Sequence, residues 1–262
     1  MRQSVALTIA GSDPSGGAGV QADLKTFHQF GVYGEAAITL LTVQNTRAVK
    51  RVEYLDPNLV EEQVRTVIED IPPAAVKTGA LGNATVVMRL AWLAPLFRCP
   101  LVVDPILLSS HGAPLVAEEA RAALLEYLLP RATLITPNLQ EAGALTGLTV
   151  ADVPSMREAA RRLHGRTGAA VLVKGGHLEG EAVDVLWDGR AFRDYGAPRI
   201  DTIHTHGTGC TYSAAITALL ALGQPLPEAV ARAKAFITEA IRTSPGLGGG
   251  NGPVNHHARP LQ

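Results

Sequence analysis

The sequence predicts an α/β fold in which helices cover both faces of a mostly parallel central sheet. Two observations carry this prediction: short apolar runs without strict alternation, and helical patterns between successive runs. A third observation, one Asp-Gly turn between two short strand patterns, adds a small antiparallel hairpin. The chain has 262 residues, 47% of them hydrophobic and 18% charged, which is enough to fill a sizeable core.

The apolar runs read in order as strands that are buried on both faces, because each lacks the alternation of a half-exposed strand. They cover residues 5–10, 36–42, 74–78, 101–104, 133–136 and 169–174. Helical patterns separate them, as expected when parallel strands are joined by crossover helices. These patterns cover residues 20–30, 58–71, 84–97, 117–129, 141–146, 155–167, 212–223 and 227–244.

The hairpin is expected over residues 182–193, around the turn at Asp188 and Gly189. No linker, repeat or low-complexity block interrupts the chain, so we expect one domain over residues 1–262. The glycine-rich stretch 246–250 either contacts a ligand or frays. We expect residues 107–114, which contain serine and glycine, to form a mobile flap.

Composition excludes several classes of function. The net charge is -1, so the surplus of basic residues typical of nucleic-acid or anionic-membrane binding is absent. No apolar run reaches the ~18 residues of a membrane span, and residues 5–10 are too short for a signal-peptide core. Two cysteines, Cys99 and Cys210, make neither a disulfide framework nor a metal site. We therefore expect a cytoplasmic protein with a small-molecule substrate.

The polar residues and glycines that follow the strands are the first candidates for a site, because ligands bind beyond the carboxyl ends of parallel strands. These candidates are Gly11, Ser12, Asp13, Gln44, Asn45, Gly79, Asp104, Asn138, Glu141, Lys174, Gly175 and Gly176.

The sharpest signal is the segment His206 to Thr211, which precedes a helical pattern. Glycines at a helix start let backbone N–H groups converge, and the helix dipole adds positive potential, as an anion site requires. Gly207, Thr208 and Gly209 would then hold a migrating phosphoryl group. The helix start would lower the pKa of Cys210, which could act as a general base or a nucleophile. The alternative is a tight turn with a small buried cysteine.

A second glycine-rich segment, residues 11–19, follows the first strand. Its spacing fits neither a dinucleotide fingerprint nor a P-loop. Asp13, or Asp23 in the following helix, could hold a hydroxyl group or a metal ion. The alternative is the start of a helix capped by Asp13 or Ser15.

A third signal combines Asn138 and Glu141 at a helix start, whose oxygens suit Mg²⁺ near phosphates. The alternative is a capping box formed by the same two residues. Among the five lysines, Lys174 ends a strand and suits a phosphate or nucleotide contact. Lys77 lies inside an apolar strand, which indicates a paired or functional charge.

Taken in order along the chain, these motifs resemble bacterial hydroxymethylpyrimidine/phosphomethylpyrimidine kinases of the ribokinase superfamily. The resemblance rests on residues 10–19, 21–26, 42–46, 76–79, 103–105, 136–142, 174–177, 206–210 and 252–256. It implies a ribokinase-like fold, a homodimer and a role in thiamine biosynthesis. The implied reactions are ATP-dependent phosphorylation of 4-amino-5-hydroxymethyl-2-methylpyrimidine, and then of its monophosphate to the diphosphate.

The resemblance also implies roles for individual residues. Cys210 stands where the wider superfamily has an aspartate base. A substrate pocket would include Gly11, Asp23, Gln44, Ala80 and Ile106, with Ala80 at a position where similar enzymes often have methionine. ATP and magnesium would lie near Asp104, Asn138, Glu141, Lys174 and Lys234.

Three other functions stay open from the sequence. A pyridoxal or pyridoxine kinase of the same fold would also act on a ring hydroxymethyl group, and a thiolate at Cys210 could trap an aldehyde. A non-catalytic pyrimidine-binding protein would keep the fold without turnover. A nicotinamide-dependent reductase is disfavoured by the glycine spacing.

Overall fold

The computed structural model describes residues 3–107, 118–176, 178 and 180–260. These residues form a nine-stranded sheet in the order β3-β2-β1-β4-β5-β6-β7-β8-β9. The strands are β1 Val5–Ser12, β2 Tyr33–Gln44, β3 Val49–Tyr54, β4 Ala75–Thr78, β5 Leu101–Val103, β6 Leu134–Ile135, β7 Ala170–Val173, β8 Asp184–Trp187 and β9 Phe192–Tyr195.

The interior of the sheet is parallel from β2 through β7, and antiparallel pairs close it at both edges. This arrangement confirms the predicted fold class. The predicted hairpin is also present as β8 and β9, and the Asp188 carboxylate accepts the N–H groups of Arg190 and Ala191 in its turn.

Helices cover both faces of the sheet. They are α1 Gly19–Gln29, α2 Pro57–Asp70, α3 Ala84–Phe97, α4 Glu118–Ala123, α5 Leu139–Thr146, α6 Val153–Thr167, α7 Thr208–Ala221 and α8 Leu226–Arg242. The helix predicted over 117–129 continues from α4 as a π-helical turn and ends in a 3₁₀ turn at Leu129–Arg131, because Pro130 cannot extend an α-helix. No helix in the described part of the chain is both long and apolar enough to span a bilayer.

Alternate residues of the central strands point to opposite faces of the sheet. Leu7 and Val76 pack into the cluster that contains α2, α3, α5 and α6, whereas Ala6 and Ala75 pack into the cluster that contains α1, α7 and α8. The period of two follows from strand geometry, and burial on both faces explains the continuous apolar runs.

Strand β3 is the element that sequence patterns missed. Residues 49–54 include Lys50, Arg51 and Glu53 and are largely exposed, so they carry no apolar run. The segment becomes a strand because it pairs antiparallel with the end of β2, beyond the core. Residue 107 of the predicted flap is described, and the rest of that flap lies outside the described residues.

Residues 251–252, directly after the glycine-rich stretch 246–250, are tied to two loops, and a Cβ on Gly250 would collide with the Thr46 carbonyl oxygen. The Asn251 N–H donates to the Thr46 carbonyl oxygen at 2.8 Å, and the His206 N–H donates to the Gly252 carbonyl oxygen at 3.0 Å. Val254, which follows, is buried in the core. The segment therefore joins the β2–β3 turn to the loop that precedes α7.

Candidate active site

The candidate residues gather at the carboxyl edge of the parallel strands, as the sequence predicted. Gly11 lies at the end of β1, Asp104 follows β5, Asn138 follows β6 and Lys174 follows β7. Parallel strands bring these ends to one side of the sheet, although the residues are far apart in the chain.

The loop before α7 lies in close contact with the glycine-rich segment 11–19. Gly207 is the N-cap residue and has a φ of 78°, a left-handed conformation that favours glycine. A side chain there would collide with the Gly17 carbonyl oxygen, so the two glycine-rich segments meet at this point. The first turn of α7 begins at Thr208 and includes Cys210, which leaves backbone N–H groups directed out of the helix start.

Lys174 supplies a positive charge beside this helix start. A Cβ placed on Gly209 would lie 3.2 Å from the Lys174 ammonium nitrogen. The ammonium group donates to Asp104 Oδ1 at 2.8 Å. Lys174 and the first turn of α7 are therefore neighbours, which is the combination expected of a phosphate site.

Asp104 connects three elements at the centre of the site. Besides Lys174, it accepts hydrogen bonds from the Thr136 hydroxyl at 3.0 Å and the Ser213 hydroxyl at 3.1 Å. Burial acts to raise its pKa, but Lys174 and Lys77 outweigh burial and lower it, so Asp104 is ionised. Both oxygens of Asp104 already have partners, which places it as a buried anchor. Sequence patterns assigned no role to Thr136, although it begins the motif 136–142, or to Ser213, because a lone hydroxyl residue has no distinctive pattern.

Asn138 and Glu141 form a capping box at the start of α5. The Glu141 N–H donates to Asn138 Oδ1 at 2.9 Å, and the Asn138 N–H donates to Glu141 Oε2 at 2.8 Å. The structural alternative is therefore present. Burial raises the pKa of the Glu141 carboxyl to about 7 against the opposing charge of Lys174. A buried carboxyl with this pKa beside Lys174 remains a candidate for a functional role.

The acidic side chains described by the structure do not form a cation site by themselves. No group of three or more His, Cys, Asp or Glu side chains suited to a metal ion occurs among the described residues. Glu141 and Asn138 could share an ion with waters and with oxygens from a bound phosphate, as Mg²⁺ commonly does. The donor set thus fits a magnesium ion that arrives with a nucleotide.

Asp23 lies beneath the candidate pocket, paired with Lys77. The two side chains are fully buried, and Lys77 Nζ lies 2.9 Å from Asp23 Oδ2. Thr8 donates to the same oxygen at 2.6 Å. Burial acts to lower the pKa of Lys77, but the Asp23 carboxylate raises it, so the ammonium stays charged. The paired-charge prediction for Lys77 is confirmed. The prediction that Asp23 lines the substrate pocket is not supported, because the residue is 0% exposed.

Cys210 is buried, and its thiol differs from the sequence-based expectation. Burial raises its pKa to about 11, although Lys77 and the Gly19 N–H oppose this effect. The prediction that the helix start lowers the pKa of Cys210 was wrong for this state of the site, because the loss of hydration on burial outweighs the helix dipole. The charged groups that act on the thiol, Lys77, Asp23 and Asp104, belong to the site. Cys210 therefore borders the candidate site.

The remaining pocket residues come together at the end of β1. Ala80 packs with Leu40, and Ile106 and Val52 pack against them. A Cβ on Gly11 would lie 2.5 Å from a methyl group of Leu40, so Gly11 borders the same apolar group. Gln44, at the end of β2, lies with its amide nitrogen 3.3 Å from His206 Nε2. The candidate site thus combines an apolar surface around Leu40 and Ala80 with the side-chain amide of Gln44.

Asp13 caps the first glycine-rich segment and does not project a free carboxylate. It accepts the Ser15, Gly17 and Ala18 N–H groups and lies 2.7 Å from His206 Nε2. Burial acts to raise its pKa, but the bonds to His206 and Ser15 lower it. Asp13 thus orders the loop before α1, but neither it nor Ser15 caps the helix, because the N-cap residue is Ala18 and no side chain caps it. The link to His206, 193 residues away, joins the two glycine-rich segments and could not be read from spacing.

Lys234, on α8, makes a buried ion pair with Asp184 at 2.7 Å. Asp184 also accepts the Gly175 N–H at 2.9 Å. Asp184 thus connects Lys234 to Gly175, at the nucleotide end of the predicted site. The sequence patterns did not indicate Asp184.

Comparison with known proteins assigns the family. The family described as phosphomethylpyrimidine kinase matches residues 13–255. A Geobacter sulfurreducens thiamine biosynthesis bifunctional protein, ThiED, is 51% identical over 95% of this chain and 51% of its own length. The chain therefore spans about half of that relative. A Streptomyces coelicolor hydroxymethylpyrimidine/phosphomethylpyrimidine kinase is 46% identical over 95% of this chain and 93% of its own.

Among solved structures, a Bacillus subtilis pyridoxal kinase in complex with ADP superposes with a TM-score of 0.90. It is 40% identical, and the match covers 98% of both chains. The family match and the full-length relatives agree with the resemblance that the motifs along the chain indicated. The chain belongs to the phosphomethylpyrimidine kinase family.

Proposed function

We propose that this protein transfers the γ-phosphoryl group of ATP to 4-amino-5-hydroxymethyl-2-methylpyrimidine, and then to the resulting monophosphate, in thiamine biosynthesis. The observation that carries the proposal is the position of Lys174 beside the first turn of α7. An apolar group containing Ala80 and Ile106 lies at the same edge of the sheet. An anion site next to an apolar surface that can pack against a ring is the arrangement that phosphoryl transfer to a ring substituent requires.

The substrate end is formed by Gly11, Gln44, Ala80 and Ile106. A side-chain amide both donates and accepts hydrogen bonds, so Gln44 suits a ring that carries an amino group beside a ring nitrogen. Asp23 contributes from below, as the partner of Lys77. Its Oδ1 atom is buried and has no hydrogen-bond partner in the described part of the chain, so we assign Asp23 to holding the Lys77 charge next to the substrate end and not to direct substrate contact.

The nucleotide end is formed by Lys174 with Asn138, Glu141 and Asp104. ATP would place its phosphates at the N–H groups of Gly207, Thr208, Gly209 and Cys210. Asn138 and Glu141 would hold magnesium together with phosphate oxygens, and Asp104 would orient Lys174 behind them. Magnesium would supply positive charge that offsets the charge of the phosphates. The transferred group needs positioning and charge stabilisation more than covalent help.

Cys210 is the proposed acceptor of the substrate hydroxyl proton. Its thiol is neutral at rest, since burial raises its pKa to about 11. Lys77 is the buried cation that favours the thiolate, and Asp23 and Asp104 disfavour it. The second reaction depends less on this residue, because its acceptor phosphate is already largely ionised.

Product analysis tests the function directly. Purified protein is incubated with ATP, magnesium and the hydroxymethylpyrimidine, and mass spectrometry counts the phosphates added. We expect the monophosphate first and the diphosphate later. Absence of any phosphorylated product, with substrate binding retained in calorimetry, would instead support a non-catalytic pyrimidine-binding protein.

The variant Cys210→Ala tests the proton acceptor. We expect the first transfer to slow by about 10²–10⁴-fold, the usual contribution of a general base. ADP affinity should stay within about threefold, since the backbone N–H groups remain. Single-turnover assays should show a smaller loss in the second transfer. An unchanged first step would remove Cys210 from the mechanism.

A second candidate substrate is pyridoxal, which also carries a ring hydroxymethyl group. The fold match to the Bacillus subtilis pyridoxal kinase favours testing it. The same assay with pyridoxal should give a lower kcat/KM than the pyrimidine. The reverse order would make pyridoxal kinase the better description.

We also propose a cytoplasmic homodimer with one kinase domain per chain. Leu41 and Val43 are 43% and 53% exposed on the edge ribbon of β2 and β3, and exposed apolar side chains at a sheet edge suit pairing with a second copy. Sedimentation of the purified protein should give twice the mass of the chain. A monomer at micromolar concentration would contradict the dimer.

A further inference from the structure

A buried ion pair links α8 to the nucleotide end of the site. Lys234 Nζ lies 2.7 Å from Asp184 Oδ2, and the two side chains are only 10% and 3% exposed. Asp184 is the first residue of β8, so the pair joins the last helix of the chain to the antiparallel edge of the sheet. A charge pair this deep is stable only when both members are present.

The second oxygen of Asp184 continues the link. Asp184 Oδ1 accepts the Gly175 N–H at 2.9 Å. Gly175 directly follows Lys174, whose own N–H donates to the Pro137 carbonyl oxygen at 2.8 Å. The Lys174 ammonium then reaches Asp104 at 2.8 Å. Asp184 therefore anchors the backbone on one side of Lys174, and Pro137 anchors it on the other.

We propose that Lys234 is a positioning residue that acts on the nucleotide through Asp184, Gly175 and Lys174, and does not itself contact the nucleotide. This inference rests on the proposed function, since it concerns the ATP end of the same site. The Asp184 carboxylate already neutralises the Lys234 charge at 2.7 Å, so the pair offers little net attraction to a phosphate. Lys174, in contrast, borders the first turn of α7 at Gly209.

Direct contact and indirect positioning predict different results when both charges are removed. If Lys234 binds a phosphate, neutralising Asp184 cannot replace the missing cation. If Lys234 only compensates Asp184, removing both charges should restore the Gly175 anchor. An asparagine at position 184 can still accept the Gly175 N–H through its carbonyl oxygen.

The experiment compares the wild type with Lys234→Met, Asp184→Asn and the double variant. ADP affinity is measured by calorimetry, and thermal unfolding is measured in the absence of nucleotide. We expect each single variant to lose about tenfold or more in ADP affinity and roughly 10 °C in Tm, because each leaves an uncompensated buried charge. The double variant should return to within about threefold of the wild-type affinity and recover most of the Tm.

Each other outcome has a defined meaning. A double variant that binds ADP as weakly as Lys234→Met but regains its Tm would show direct contact and overturn the proposal. Single variants with a lower Tm and unchanged ADP affinity would also overturn it, because the pair would then be structural only. If the single variants do not fold, the ADP affinity of the double variant decides by itself. If the wild type binds no ADP, the proposed function fails and this inference fails with it.

Discussion

At the scale of the residue, Cys210 is subject to two opposing influences. The start of α7 favours a thiolate, and burial favours the neutral thiol. Burial prevails, and the pKa rises to about 11. Cys99, which is half-buried and outside the site, also reaches about 11 through burial. The two thiols therefore have similar ionisation for the same reason, although only Cys210 lies at a helix start.

This similarity predicts the alkylation behaviour of the two cysteines. With iodoacetamide and peptide mass spectrometry, both should react slowly at pH 7, and the rate should rise about tenfold for each pH unit below 11, because the thiolate is the reactive form. Cys99 serves as the internal control. Rapid alkylation of Cys210 at pH 7, with slow alkylation of Cys99, would show that the helix start lowers the Cys210 pKa after all.

Glu141 provides a second prediction at this scale. Its carboxyl has a pKa of about 7, so it is mostly protonated at pH 6 and mostly ionised at pH 8. Magnesium binds the ionised form, so affinity for magnesium-ADP should increase by about tenfold between pH 6 and pH 8. The variant Glu141→Gln should remove most of this increase in calorimetry. An equal increase in the variant would assign it to the nucleotide.

At the scale of the element, the loop before α7 depends on glycine at one position. The sequence indicated this loop correctly, because glycines before a helical pattern are a local signal. It could not indicate that Gly207 contacts Gly17, since that contact joins two loops that are remote in the chain.

The variant Gly207→Ala tests this element. Its left-handed φ of 78° and the collision with Gly17 should cost about 1–3 kcal/mol of unfolding free energy and most of the turnover. Gly165→Ala, in α6, is the matched control because a Cβ there meets nothing within 4 Å. The control should gain about 0.5–1 kcal/mol and keep full turnover. Equal stability for the two variants in denaturant unfolding would contradict this account.

At the scale of the whole molecule, a second carboxyl with a raised pKa lies away from the site. Glu35, on β2, pairs in register with Leu7 near the start of β1, whereas the site lies beyond the end of β1. Burial raises its pKa to about 7, and Asp70 adds to this effect. Neither oxygen of Glu35 has a hydrogen-bond partner among the residues described. We therefore expect titration at this end of the sheet to affect stability, and titration at the other end to affect binding.

Glu35 predicts how stability depends on pH. The folded state holds a proton that the unfolded state releases near its ordinary pKa of 4.5. Unfolding free energy should therefore fall as pH rises from about 4.5 to about 7, and then level off. At pH 8, Glu35→Gln should be more stable than the wild type by about 1–2 kcal/mol, roughly half of what full burial would give. At pH 4.5 the two should be equal.

The control for this prediction is the nucleotide site. Glu35→Gln should leave the pH dependence of ADP binding unchanged, whereas Glu141→Gln should alter it. Parallel changes in both properties for either variant would show that the two ends of the sheet are coupled.

The sequence by itself determined the fold class, the order of the elements other than β3, and the places of most candidate site residues along the sheet edge. Apolar runs and helical patterns are local properties, and the carboxyl ends of parallel strands must share one edge, so Asp104, Asn138 and Lys174 could be assigned to one place. The extent of the motifs then carried the family resemblance that full-length relatives confirmed.

Only the tertiary structure decided the strand order, the edge strand β3, and the chemical state of the buried groups. Lys77 and Asp23 are 54 residues apart, and Lys234 and Asp184 are 50 apart. Their pairing, like the burial that raises the pKa of Cys210, arises from contacts between elements that meet only after folding. Charge and hydration are set by surroundings that remote segments supply, and no local pattern contains that information.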